Sequence, residues 1–600
     1  MGHYIANLRD IQFNLFEANK LDEALGVEPF EDMDHDTALD VLREIRRMSE
    51  EEFAASFVDA DRIKLELVDG EVKLPESVKK SLSAIYDGGW DLLGLPKELG
   101  GFGAPPSLRW ACQEMMCGAN PAVFLYASSA LMAGIIASEG TEEQARRFAA
   151  PMIEKKWGST MVLTEPQAGS DVGAGTAKAI HIEDDTYHIE GVKRFITSGE
   201  HDFSENIIHL VLARREGGPE GTKGLSMFIV PKYMVNEDGS LGERNGVVAT
   251  NLEDKMGIRG STTCELTFGV DRPAVGYLVG GVHDGIRQMF KVIEDARMLI
   301  GTKSAATLST GYLNALEYAK VRVQSADLTR ASDKTAPRVE IIRHPDVRRL
   351  LMLQKSYAEG MRALVLYTAH LLDLETLGID KEAHAKRNDL FLPLVKGYCS
   401  EKAYELLTQS LQVLGGSGFT RDYPMEQYIR DAKIDTIYEG TTAIQSLDLF
   451  FRKILRDRSA TLTTLTDEIL EVVKGGHEEL EAERALLGTA LEDVQAHVSI
   501  LIGHAMASQR EPTEIYKTGL HTNALLESIS EAVIAWLLIQ HAGIALDAIG
   551  DASESDRAFY EGKIASARFF VHDALPKARL RREAAQAEDG ALMTMSDTAF

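Results

Sequence analysis

One carboxylate stands out by its neighbours. Residues 423–445 read YPMEQYIRDAKIDTIYEGTTAIQ. Ile429, Ile434 and Ile437 keep a helical spacing up to Tyr438-Glu439-Gly440-Thr441-Thr442, and a second apolar-periodic segment starts at Ala443. The pattern predicts a helix, a tight turn and a second helix. Thr441 or Thr442 is the candidate N-cap, and Gly440 supplies a position without Cβ where the backbone can bend or another molecule can come close. A carboxylate in that turn, beside Ile437 and the Tyr438 ring, loses part of its hydration. Its pKa then rises toward neutrality, which suits it to remove a proton from carbon. Glu439 is therefore the candidate base, with a solvated loop carboxylate as the alternative.

Three other stretches carry groups that recognise flat or anionic molecules. Thr164-Glu165-Pro166-Gln167-Ala168-Gly169-Ser170-Asp171 closes a strand with hydroxyls, small residues and open backbone. Such a loop offers N–H and O–H donors to a heterocycle or a phosphate, or serves as an ordinary surface hairpin. Lys193-Arg194-Phe195-Ile196-Thr197-Ser198-Gly199 ends another strand. Its Phe195 ring either stacks on a planar cofactor or belongs to the core, and Thr197 can bond the edge of such a cofactor. Leu414-Gly415-Gly416-Ser417-Gly418-Phe419 lets backbone approach a ligand closely.

The elements that must position these groups change character twice along the chain. Residues 38–157 are helical in pattern, punctuated by GLPKELGGFGAPP at 94–106. From 158 to 280, short segments rich in Val, Ile, Thr and aromatics, such as GSTMVLTE and NIIHLVLARR, predict an antiparallel β domain. Helices return over 281–455, with almost forty residues free of proline after Gly285, and predict an up-and-down bundle. Residues 456–600 are again helical, with apolar positions at Leu491, Val494, Val498 and Leu501 that mark packing or oligomer contact. Residues 1–37 form an N-terminal extension.

Composition limits the function classes. Six hundred residues call for several domains, and 44% hydrophobic with 26% charged residues is an ordinary globular balance. A formal charge of -28 argues against a nucleic-acid or acidic-membrane surface. The Lys577, Arg579, Arg581, Arg582 cluster is the local exception and reads as a solvated helix face. Four cysteines without a C-x-x-C pair point to a reducing compartment and give no metal motif. The N-terminal stretch has charges where a signal peptide needs an apolar core, and Ala6 stands where a myristoylation signal wants Ser or Thr. The longest apolar run, Ala532 to Ile539, falls short of the roughly 20 residues of a membrane span. A cytoplasmic protein is expected. No strand followed by G-x-G-x-x-G occurs, so a Rossmann nicotinamide site is not expected.

Taken together and in order, GLPKELGGFG, GTEEQARRF, LTEPQAGSD, KRFITSG, KMGIRGSTTCELTF, the helix around Arg297, and GGSGF followed by YPMEQYIRDAKIDTIYEGTTAIQ resemble the acyl-CoA dehydrogenase family from about residue 85 to 452. The resemblance implies a mainly α protein with a middle β domain: an N-terminal helical domain, an antiparallel β domain and a C-terminal four-helix bundle, with FAD held between the last two. Here an extra C-terminal helical domain follows. RVQSAD, HPDVRRLLM and the two extensions look like the family's long branch, which includes 3-methylmercaptopropionyl-CoA dehydrogenase, and a homodimer is expected.

Carried over position by position, the resemblance makes Glu439 the base and Gly440 the glycine beside the thioester. Leu163, Thr164, Gly169 and Ser170 match the loop on the flavin, with Ser170 also near the CoA portion. Phe195 and Thr197 match the pair against the isoalloxazine, although the family more often has Trp in place of Phe195. Arg297 matches a substrate-side arginine, and Ala296 stands where some relatives carry the base. Arg322, Gln324, His344, Gln412, Gly416 and Thr441 match positions that hold the FAD adenosine and pyrophosphate, several across a subunit interface. Ser325-Ala326 and a charged insertion running to about Glu340 depart from the family pattern beside the adenine contacts. The resemblance also implies that the thioester oxygen is held by the Glu439 N–H and the FAD ribityl hydroxyl, that FAD takes the β-hydride, and that electrons leave to an electron-transfer flavoprotein. An acyl-CoA oxidase that passes them to oxygen, a flavin-bearing DNA-protective protein, and a catalytically silent scaffold are the alternatives on this architecture.

Overall fold

Val, Ile, Thr and aromatic residues concentrate between 158 and 278, and there the chain forms its large sheet. The computed structural model describes residues 2–600. Eight strands make this sheet: β1 (Gly158–Val162), β2 (Lys178–Glu183), β3 (Thr186–Thr197), β4 (Ile207–Arg215), β5 (Leu225–Pro231), β6 (Val247–Leu252), β7 (Thr263–Phe268) and β8 (Ala274–Leu278). They pair in the order β6-β7-β3-β8-β5-β4-β1, with β2 against β3 and β4. Most pairs are antiparallel, as short strands between turn residues predict. The exceptions are β1 and β2, which run parallel to β4, with Gly158 opposite Ile207 and Lys178 opposite Arg214.

The central strands β4 and β5 are buried on both faces, which is why they read as near-continuous apolar runs. One face carries Ile208, Leu210, Leu212, Met227 and Ile229 onto Phe148, Trp157 and Ile136 of helix α1 (Ser129–Glu139). The other carries Val211, Ala213, Phe228 and Val230 toward Ile189, Leu266 and Phe268. The sheet belongs to a compact unit made of the N-terminal residues up to Ala6, Asp36–Pro105 and Cys112–Ala296.

The second compact unit comprises Asn7–His35, Pro106–Ala111 and Arg297–Phe600. Its bundle is built from α2 (Gly285–Val321, from Arg297 onward), α3 (Pro345–Thr376), α4 (Lys381–Pro393) and α5 (Cys399–Leu414). The short helices α6 (Met425–Lys433) and α7 (Thr442–Leu447) carry the turn singled out above, and α8 (Glu481–Ala507), α9 (Glu514–Ala548) and α10 (Glu554–Ala574) follow. Helix α3 packs on α4, α5, α9 and α10. At its contact with α9, a Cβ on Gly360 would lie 2.5 Å from Ile534 Cγ2, so only glycine admits this approach. Every residue from Ala532 to Ile539 is buried here, each large aliphatic side chain adding about 1.5–3 kcal/mol relative to exposure.

Residues 121–139, 478–507 and 514–548 form helical segments long and apolar enough, by length and composition, to cross a membrane, which the run-length expectation from sequence did not register. In the last of these, 78% of the apolar window is buried inside the protein.

A fully buried charge cluster joins three distant parts of this unit. Asp10 Oδ2 accepts from Arg362 Nη1 of α3 at 2.6 Å, and Asp10 Oδ1 accepts from Lys563 Nζ of α10 at 2.8 Å. Arg362 also donates to Ser309 Oγ on α2 at 2.9 Å, and Lys563 lies 3.5 Å from Glu359. Burial pushes the Asp10 carboxyl up, but Lys563 and Arg362 outweigh it and hold the group well below the usual carboxylate range.

Candidate active site

Helix α6 runs into a 3-10 turn at Ile434–Thr436, and the chain then reverses through Tyr438–Thr441 into α7. Thr441 is the N-cap: its Oγ1 accepts from Ile444 N at 3.4 Å, while the Thr442 hydroxyl donates to Glu401 Oε1 at 2.5 Å. Glu439 has φ +57° and Gly440 φ +86°. A left-handed conformation is routine for glycine but costs a glutamate of order 1 kcal/mol or more, so surrounding contacts must hold it. Gln445 Nε2 donates to the Glu439 carbonyl at 3.0 Å, and Lys396 Nζ donates to the Gly440 carbonyl at 2.6 Å. Gly440 is also tight: a Cβ there would meet Gln445 Nε2 at 2.8 Å.

The Glu439 carboxyl makes no hydrogen bond and no ion pair among the described residues, and its own N–H likewise donates to no acceptor. Desolvation pushes the carboxyl up to about 7, against the opposing pull of the Arg297 and Lys396 cations. The residue is half-buried and keeps part of its surface open. Arg297 is buried on α2 and paired to Asp448 Oδ2 at 3.0 Å, with its Nε unpartnered. Asp435, one turn before Glu439, is gripped by Lys303 Nζ at 2.7 Å to both oxygens and by the Tyr438 hydroxyl at 2.8 Å. The turn of the sequence reading is thus a carboxyl acted on by two cations, with a fixed backbone around it.

In the other unit, the loop after β1 is held from inside. Lys193 and Glu165 are both buried, and Lys193 Nζ donates to Glu165 Oε1 and to the Leu163 carbonyl, each at 2.9 Å. Glu165 Oε2 further accepts from Thr176 N at 2.6 Å and Gln167 Nε2 at 2.8 Å, and Oε1 from Ala177 N at 3.1 Å. Burial raises both neutral forms, yet Lys193 and these amides hold the acid below its ordinary range, whereas the lysine, with fewer partners, is pulled down. We take the pair as ionised, because the carboxylate collects the larger set of donors.

This anchoring leaves Gly169 and Ser170 exposed, with Leu163 and Thr164 half-buried. Phe195 is 56% exposed and sits at φ +60°, so it is not a core ring; Thr197 beside it is half-buried. An open ring, an adjacent hydroxyl and an open loop fit a planar cofactor better than they fit a hairpin with nothing to bind.

The residues expected to hold a dinucleotide lie in the second unit. Arg322, Gln324, Gln412 and Gly416 are exposed, and His344 and Thr441 are half-buried. The charged insertion forms a small hairpin, Val323–Ala326 against Arg338–Glu340, and His344 Nε2 bonds the Gln324 carbonyl at 2.7 Å. The departure from the family pattern at Ser325 coincides with a left-handed residue, φ +58°, inside this hairpin.

Sequence reasoning overlooked Lys303, Lys396, Asp435 and Asp448. The available signal was their setting, since a lysine inside FLPLVKGYCS or an aspartate inside QSLDLFF interrupts an apolar run and has to find a buried partner. No group of His, Cys, Asp and Glu suited to a metal ion occurs among the described residues.

Comparison with known proteins agrees along the whole chain. Residues 37–156, 160–270 and 283–452 match the N-terminal, middle and C-terminal domains of acyl-CoA dehydrogenases, and residues 465–596 match an acetyl-CoA dehydrogenase C-terminal-like domain. The chain is 53% identical over 612 residues to the broad-specificity linear acyl-CoA dehydrogenase FadE5 of Mycobacterium tuberculosis, with 100% of each chain covered. It is 35% identical over 583 residues to the 3-methylmercaptopropionyl-CoA dehydrogenase of Ruegeria pomeroyi, covering 95% of this chain and 96% of that one. Among solved structures, an acyl-CoA dehydrogenase complexed with FAD from Bacillus anthracis has a TM-score of 0.72 at 19% identity, over 94% of this chain and 90% of that chain. Caenorhabditis elegans ACDH-11 in complex with C11-CoA has a TM-score of 0.69 at 20% identity, over 96% and 92%. Four matched regions in chain order, with full-length identity above one half to one such enzyme, make this chain a member of the acyl-CoA dehydrogenase family.

Proposed function

We propose that the protein oxidises straight-chain acyl-CoA thioesters to trans-2-enoyl-CoA, with Glu439 removing the α-proton. The observation that carries this reading is the Glu439 carboxyl, desolvated to about 7 and bonded to nothing, in a turn whose next residue has no side chain. The α-proton of a thioester is very weakly acidic, so a base must be both unhydrated and close to neutral in pKa to take it at physiological pH. The unused Glu439 N–H supplies a donor for the thioester oxygen as charge develops there, and Gly440 leaves the substrate room beside it. Arg297 keeps a cation on the substrate side. FAD, the family's cofactor, supplies the acceptor for the β-hydride when bound. Leu163, Thr164, Gly169, Ser170, Phe195 and Thr197 hold its ring system, and Arg322, Gln324, His344, Gln412, Gly416 and Thr441 its adenosine and pyrophosphate, some of them across a homodimer interface.

The preference for linear chains follows the relative from M. tuberculosis, whose name states it. Electrons leave to an electron-transfer flavoprotein, and four buried cysteines outside any disulfide suit a reducing cytoplasm. The test is anaerobic mixing of FAD-loaded protein with butanoyl- to hexadecanoyl-CoA, following flavin absorbance. Bleaching is expected for several chain lengths, with kcat/KM rising through pH 7 as Glu439 deprotonates. Glu439→Gln is expected to slow it by about 10²–10⁴-fold. Equal bleaching by the variant overturns the assignment. Added electron-transfer flavoprotein should restore the colour in air without stoichiometric peroxide.

A further inference from the structure

We propose that Lys396 is a positioning residue for this reaction: from behind the turn it clamps the Gly440 carbonyl, fixes Glu439 in its left-handed form and keeps a positive charge at the rear of the base. The inference rests on Glu439 being that base.

Lys396 reaches the turn by an unusual route. Pro393 ends α4 and lacks an N–H, and the next residues, Leu394–Tyr398, form one turn of π-helix that continues into α5. Lys396 is fully buried in that turn, yet its ammonium has three donors and, among the described residues, a single acceptor, the Gly440 carbonyl at 2.6 Å. A buried ammonium with one partner is a poor device for stability. The charged groups around it indicate what it serves. Asp435 is already engaged by Lys303 and Tyr438, Glu401 accepts from Thr442, and Arg297 is paired with Asp448. Of the three anions that act on Lys396, namely Asp435, Glu439 and Glu401, only Glu439 has no other partner. Burial pulls the lysine down to about 8, against those three anions, while Lys396 and Arg297 restrain the rise of Glu439. The lysine therefore couples backbone and charge at the same carboxylate. The Gly440 carbonyl it grips belongs to the residue after the base and also accepts from Gln445 Nε2 at 3.4 Å, and Gln445 grips the Glu439 carbonyl at 3.0 Å, so the two left-handed residues are tied by two side chains.

Two variants separate the roles. Lys396→Met keeps the volume and loses both charge and donor; Lys396→Gln loses the charge and keeps an N–H. FAD content, Tm and the pH profile of kcat/KM for flavin bleaching are measured on the holoenzymes. Both variants are expected to retain FAD and to melt at or above the wild-type temperature, because an under-partnered buried charge has been removed. The point at which kcat/KM falls on the acid side should move up by about one pH unit, giving about tenfold slower bleaching at pH 6 and near-convergence above pH 9 for the Gln variant. The Met variant should also have a lower plateau. An unmoved acid-side fall in both variants, or loss of FAD and fold in both, overturns the proposal and leaves Lys396 a residue of the fold. If instead wild-type protein fails to bleach, or Glu439→Gln bleaches normally, it is the assignment of the base that has failed.

Discussion

Glu165→Gln removes the anion from a pair whose two members are each no more than 3% exposed. Gln keeps one acceptor oxygen and puts an NH2 in place of the other, so it can accept from the Thr176 amide or from the Ala177 amide but not from both, and the change removes one of these bonds together with the charge. What it leaves is the Lys193 ammonium, buried with only the Leu163 carbonyl and a neutral amide for company. Breaking a buried pair by removing one partner costs about 3–5 kcal/mol, because the surviving charge stays desolvated. At about 2–4 °C per kcal/mol for a unit of this size, the sheet-bearing unit should melt about 6–20 °C lower. Lys193 also orients the Leu163 carbonyl, so FAD should be released at lower temperature than global unfolding. The assay is a thermal melt followed in parallel by flavin and tryptophan fluorescence, repeated for Glu165→Met with Lys193→Met. The double replacement should recover most of the loss, a coupling of about 2–3 kcal/mol. The sign with pH follows from the depressed carboxyl: the contribution is full above the ordinary glutamate pKa and fades as pH falls through the lowered one. A single Gln variant within about 1 kcal/mol of wild type, with FAD retained, would refute the reasoning about this pair.

At Glu439 the linkage has the opposite sign. Its raised pKa makes ionisation a burden on the fold above pH 7 and none below about 4.5, so Glu439→Gln should melt higher than wild type at pH 8 and equal to it near pH 4.5, read by calorimetry of the FAD-free protein. Gly440→Ala places a Cβ 2.8 Å from Gln445 Nε2 in a backbone with φ +86°; it should cost about 1–3 kcal/mol and slow flavin bleaching at saturating acyl-CoA, measured by stopped flow. Asp10→Asn strands Arg362 and Lys563 in the interior and should destabilise the second unit by about 3–5 kcal/mol, with amide exchange in residues 7–19 accelerating first.

The sheet and the long helices were legible because their periodicity is dictated by one packing surface each. β4 and β5 announced two covered faces by unbroken apolar runs, and α2 declared itself by length without proline. The parallel pairing of β1 and β2 with β4 was not legible, since pairing direction depends on which strands meet and not on local pattern. The turn that carries Glu439 was legible, because Glu-Gly between two helices is a local arrangement. Its cationic surroundings were not: Lys396 and Arg297 are brought near Glu439 by two different elements, and nothing in their own neighbourhoods tells where the partner lies. Phe195 illustrates the remaining ambiguity. An aromatic residue at the end of a strand reads equally as core or as surface, and only the left-handed twist at that position turns its ring outward.

The Asp10 cluster also imposes an order of events on synthesis. Asp10 leaves the ribosome 352 residues ahead of Arg362 and 553 residues ahead of Lys563. Until Arg362 emerges, the segment around Asp10 carries an anion with neither of these mates and no reason to leave water, so it must wait as a loose strap while the sheet takes shape. The trailing helices then add Lys563 as the second cation. A chain cut short after the bundle would keep Arg362 against the aspartate but leave the strap half fastened, so the later helices complete a latch that the bundle only begins.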